Sequence, residues 1–76
     1  MSPQLVLVTY LDPCFEFEEG ELSTPCIKTV VGWDLPGRWP GWCAVASEQP
    51  SEGFTWRAVT HIPLAAVAQR VELEVP

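Results

Sequence analysis

LVLVTYL, residues 5–11, is the stretch from which a fold can be read. It is apolar at both alternating positions and rich in β-branched and aromatic residues, which suits a central strand covered on both sides or enclosed in a small barrel. Asp12-Pro13 ends it. Phe15-Glu16-Phe17-Glu18 then alternates, with Phe15 and Phe17 turned to the core, and Glu18-Glu19-Gly20-Glu21 forms the tip of a hairpin. Ile27 to Trp33 is a further strand with Ile27, Thr29, Val31 and Trp33 on one face, and Gly32 marks a candidate bulge. Gly41–Ser47 and Phe54–His61 read as two more strands, the second closed by Pro63. Leu64–Gln69, with Pro63 at its first turn, is the one segment with helical character, and Arg70–Val75 alternates as a final strand. The pattern predicts a mainly β protein: a small antiparallel sheet or open barrel of five to six short strands with one short helix near the C-terminus. An α+β arrangement with the helix packed on the sheet is the alternative.

The 76 residues suit a single small β-rich domain over 1–76, at a size where the core is modest and stability limited. Hydrophobic residues make up 47% and charged residues 18%, too apolar for a disordered chain. A formal net charge of −6, with Lys28, Arg38, Arg57 and Arg70 the only cations besides the N-terminus, disfavours direct binding to nucleic acid phosphates and points to basic or neutral protein surfaces. No apolar run approaches the roughly 20 residues of a membrane span. The N-terminal MSPQLVLVTYLD carries neither a basic n-region nor a cleavage signature, so a cytoplasmic location is expected.

GWDLPGRWPGW, residues 32–42, brings three tryptophans into one connection. Pro36-Gly37 and Pro40-Gly41 each carry the signature of a type II turn, so the chain is expected to reverse twice. Trp39 and Trp42 occupy the outer positions of the second turn, where Cα atoms lie within about 7 Å, and their indoles can share one patch. Arg38 stands beside them, and aromatic residues with arginine dominate interface hot spots. Trp33 and Trp56 sit in predicted strands and read as core rings.

Glu16, Glu18, Glu19 and Glu21 surround the first hairpin, while Glu72 and Glu74 lie at outward positions of the last strand. On one side of a sheet these would form a contiguous negative surface suited to a basic groove, or a face that serves solubility. Cys14, Cys26, Cys43 and His61 could supply zinc ligands, but the close pairing typical of small zinc sites is missing, and no metal or cofactor is expected. Cys14 and Cys26 lie symmetrically about Gly20, so a hairpin there could oppose them in a disulfide, but buried reduced thiols acting as small apolar residues are the expectation. No phosphate loop, paired-carboxylate motif or nucleophile elbow occurs, and no enzyme activity is expected.

Val59-Thr60-His61-Ile62-Pro63-Leu64 resembles the V-T-H-W-x-P-L ending of a family of small phage- and prophage-encoded domains of unknown function. Those domains are also similar in having an early L-V-L-V strand and later tryptophan-bearing strands. Ile62 stands where the family has a residue pair, and this chain continues beyond Leu64. The resemblance implies a mobile-element origin and a mostly β fold, and supplies no catalytic residues. Taken together, these readings lead to a small acidic protein-binding module, in the viral case an inhibitor or modulator of a bacterial host protein such as a defence complex or transcription component. Trp39, Trp42 and Arg38 would anchor the partner while Glu16, Glu18, Glu19 and Glu21 steer it. A self-assembling accessory protein using the tryptophan patch, hence a homo-oligomer, is the alternative.

Overall fold

The segment LVLVTYL forms strand β1 (Leu5–Leu11), which lies between β2 (Ile27–Leu35) and β5 (Val67–Glu72). The computed structural model describes residues 3–13, 16, 18–22, 24–51 and 55–74. Strand β3 (Trp42–Glu48) pairs with β2, and β4 (Arg57–Pro63) pairs with β3. The result is one open five-stranded sheet in the order β4-β3-β2-β1-β5, antiparallel throughout.

This order has a geometric consequence, because β4 and β5 are opposite edges of the sheet yet are joined only by the 3₁₀ turn Leu64–Ala66. Strands about 4.8 Å apart would separate the edges of a flat five-stranded sheet by roughly 19 Å. The links from Pro63 to Val67 reach about 14 Å at full extension, and less through a 3₁₀ turn. The sheet must therefore coil until its edges approach at this corner. Side-chain packing agrees: Val6, Val8, Val45 and Ile62 form the buried cluster, with Tyr10, Val30, Cys43, Ala66 and Val67 packed against it. These residues come from all five strands and the turn, and they share the concave face. Each fully buried aliphatic side chain contributes about 1.5–3 kcal/mol.

Gly32 shows how the coil is made. Strand β2 pairs with β1 over Ile27–Trp33 and with β3 over Trp33–Leu35, so Gly32 sits where it passes from one partner to the other. A Cβ there would run into the backbone carbonyl of Ala46 and meet Val45 Cγ1. The glycine is thus needed for close approach of two strands, not for a bulge in its own strand; the irregularity in register falls between Thr9 and Tyr10, opposite β5.

The predicted C-terminal helix is not formed. Only Leu64–Ala66 is helical, as a single 3₁₀ turn, and the rest joins β5, where Val67, Gln69 and Arg70 pair with Tyr10, Thr9 and Val8. Six residues cannot offset the cost of helix nucleation, and the ladder on β1 supplies the partners a helix would have to find internally. The extra strand expected over 15–18 is also missing at its described positions Glu16 and Glu18, whereas Phe15 and Phe17 lie outside the described residues. The tip of that hairpin does form: Glu21 N donates to Glu18 O at 3.3 Å, and Gly20 supplies the left-handed conformation at φ +92°.

Edge strand β5 is guarded by charge. Arg70 places Nη2 2.8 Å from Asp34 Oδ2 and Nη1 3.2 Å from Glu72 Oε1. Hydrogen bonds to Asp34 first and Glu72 second hold the guanidinium firmly protonated. Charged side chains at an edge impede the docking of a further strand.

Candidate recognition site

The tryptophan turn forms as its sequence indicates at one Pro-Gly pair and not at the other. Trp42 N donates to Trp39 O at 3.2 Å, with Gly41 at φ +80°, the arrangement of a type II turn. Gly37 lacks the positive φ that a type II turn needs, so the first predicted turn is corrected. Its glycine is required instead because a Cβ would strike the Trp42 carbonyl.

The turn brings the predicted anchor residues together. Trp39 and Trp42 meet edge to face, with centroids 5.8 Å apart and planes at 72°, and remain 46% and 39% exposed. The Arg38 guanidinium lies 5.5 Å from the centre of the Trp39 ring, within cation–π range. A further ring joins them: His61 of β4 lies 4.9 Å from Trp39. Cross-strand register accounts for its arrival, since Trp42 pairs with Pro63 and His61 is two residues earlier on the same face. His61 Nδ1 is buried and has no hydrogen-bond partner among the described residues.

Beside this cluster lies a cavity of about 210 Å³, lined by Tyr10, Leu11, Asp12 and Pro13 from the end of β1, Trp42 from β3, His61, Ile62 and Pro63 from β4, and Ala66 from the 3₁₀ turn. Trp42 and His61 belong to both cluster and cavity, so they form one continuous surface. The surface is fixed by backbone contacts: Leu64 N donates to Gly41 O at 2.8 Å, tying the 3₁₀ turn to the tryptophan turn. No local spacing signals that Tyr10, His61 and Pro63 meet Trp42; only the strand pairing places them together.

The acidic residues divide. Asp12 N donates to Cys26 O at 2.8 Å, closing the base of an arm that carries the glutamates, and the arm leaves from the cavity wall at Asp12 and Pro13. Glu18, Glu19 and Glu21 are exposed near its tip. Glu16 is also exposed, but its carboxylate accepts from Leu22 N at 3.0 Å and Gly20 N at 3.3 Å, so it organises the tip as well as carrying charge. Glu72 pairs in register with Val6, at the far end of β1 from the arm, which separates it by more than a dozen ångströms at about 3.4 Å per residue. The glutamates therefore do not merge into the single face anticipated from sequence.

Trp33 and Trp56 meet at a 43° tilt, centroids 5.6 Å apart, outside the main core on the convex face, where they line a second cavity of about 310 Å³ with Pro3, Gln49 and Pro50. Cys26 is disulfide-bonded and Cys43 is a free, half-buried thiol, whereas Cys14 lies outside the described residues. Desolvation first, and the nearby Asp34 carboxylate second, push the Cys43 thiol pKa up. Among the described residues no three His, Cys, Asp or Glu side chains gather as a metal site, and no helix is long and apolar enough to cross a membrane. No family model, curated protein or solved structure matches the chain.

Proposed function

We propose that the chain is a protein-binding module whose recognition surface is the aromatic cluster of Trp39, Trp42 and His61 with the adjoining cavity, and whose acidic arm draws in a basic partner. The observation that carries the reading is the exposed, edge-to-face Trp39–Trp42 pair, placed by its turn and packed on His61 at a cavity wall. Rings already fixed in place lose little entropy on binding, and aromatic and arginine side chains are the usual centres of binding energy. Occlusion of a basic surface on the partner is the mode of action, with the net charge of −6 raising the encounter rate.

Affinity capture with the immobilised protein, followed by titration of the purified partner, tests this. Retention of one stoichiometric partner, lost from a folded Trp39→Ala/Trp42→Ala variant, supports the module; equal retention by both forms rejects the surface. Self-association is the second reading, favoured by the exposed apolar residues Leu11, Ile27, Val31 and Val71 on the convex face, which lie in paired rows with Leu11 opposite Ile27 and Leu7 between Val31 and Val71. Sedimentation distinguishes it: a dimer dissociated by Ile27→Glu would place the interface there.

A further inference from the structure

We infer that the cavity beside Trp42 receives an extended, proline-bearing peptide segment of a partner protein, oriented with a basic side chain toward the acidic arm. The inference rests on the protein-binding reading above and names the occupant of that same surface.

Size comes first. At about 210 Å³ the cavity is smaller than the roughly 300–1,000 Å³ of sites that enclose cofactors or drug-sized ligands. It holds one or two side chains of a chain passing across it. An α-helix, about 10 Å across, would meet only its mouth.

Wall chemistry narrows the occupant further. Tyr10, Trp42, His61 and Pro63 present flat rings, whose polar atoms are few and lie at ring edges. An occupant here must leave most of its backbone groups in water. A polyproline II segment does so, because it has no internal hydrogen bonds and its backbone stays solvated, while its proline rings pack flat against aromatic faces. Its isolated carbonyls match isolated ring donors. Strand addition is disfavoured by position, since the cavity spans the ends of β1, β3 and β4 and does not follow one edge.

Charge sets direction. Asp12 and Pro13 form the wall from which the arm of Glu16, Glu18, Glu19 and Glu21 departs. Arg38 lies over Trp39, whose ring meets both Trp42 and His61 of the cavity wall. Lys28, 3.8 Å from Asp12, offsets one carboxylate only. A segment lying across the rings thus meets negative potential at the arm and positive charge beside Trp39, which favours a basic residue at the arm end.

The test is selection of a random dodecapeptide library on the intact protein, with the Trp42→Ala variant as counter-selection target and Trp42→Phe as a second variant in case alanine unfolds the chain. Enrichment of peptides with two prolines three positions apart and a flanking arginine or lysine is expected. Replacing that basic residue by glutamate should weaken binding at least fivefold, and replacing both prolines by alanine at least tenfold. Peptides that bind through Trp42 but lack prolines would overturn the inference while leaving the protein-binding reading intact. Recovery of no peptide that distinguishes the native chain from the variants would overturn the inference, and failure of the capture experiment alongside it would remove the broader reading too.

Discussion

Gly32→Ala should unfold the protein more readily than any other single-methyl addition among the described glycines. The added carbon meets the backbone of Ala46 and Val45 Cγ1, so relief cannot come from swinging a side chain aside. Strands β2 and β3 must separate locally, at the expense of the pairs Trp33 to Ala46, Asp34 to Val45 and Leu35 to Ala44. Overpacking costs about 1–3 kcal/mol, and each weakened hydrogen bond adds up to about 1 kcal/mol. A loss of about 3 kcal/mol follows, against a total of about 4–11 kcal/mol for a chain of this length. At roughly 4–8 °C per kcal/mol, the midpoint of thermal unfolding should fall by about 12–24 °C. Urea denaturation followed by tryptophan fluorescence measures the free-energy loss, and thermal unfolding followed by far-ultraviolet circular dichroism measures the midpoint. Gly20→Ala is the control: its Cβ would meet nothing, so only the strain of φ +92° applies, at about 1–2 kcal/mol. A Gly32→Ala variant within 0.5 kcal/mol of the parent would refute the tight crossing of β2 and β3 on which the coiled sheet depends.

Further outcomes follow from single residues. Ala58 occupies the left-handed region at φ 52°, so Ala58→Gly should stabilise the protein by about 0.5–1 kcal/mol, read by the same denaturation. Alkylation of the folded, unreduced chain should label Cys43 and leave Cys26 unlabelled, and alkylation after reduction and unfolding should add three labels, checked by peptide mass. The raised pKa of Cys43 makes its alkylation rate rise only above the ordinary thiol range; because the unfolded chain ionises first, the corresponding stability is complete below about pH 8.5 and declines as pH rises through the folded value. Association with a basic partner should slow severalfold or more between about 50 and 300 mM salt, measured by stopped flow, and a rate indifferent to salt would remove the acidic arm from the mechanism.

Strand positions were legible where the pattern was local. LVLVTYL announces β1, and the turn residues around Trp42 to Ser47 bound β3. What could not be read required long-range pairing. Leu64–Gln69 looks helical until β1 offers it a ladder, and Gly32 looks like a bulge until Ala46 is known to cross it. The site divides in the same way. Pro40-Gly41 between two tryptophans predicts the Trp39–Trp42 pair from turn chemistry alone. Tyr10, His61 and Pro63 are separated from it by whole strands, and only the order β4-β3-β2-β1-β5 places them at one cavity. The glutamates show the converse: their clustering in sequence is real, but the length of β1 keeps Glu72 from joining the arm.

The most direct test of the recognition surface is a two-dimensional NMR titration of the ¹⁵N-labelled protein with the partner retained in the capture experiment. Binding at the aromatic site predicts shifts at the Trp39 and Trp42 indole N–H groups and at the amides of Tyr10, His61 and Leu64, with Ile27, Val31 and Val71 unchanged. Shifts confined to Ile27, Val31 and Val71, leaving both indoles in place, would contradict the account.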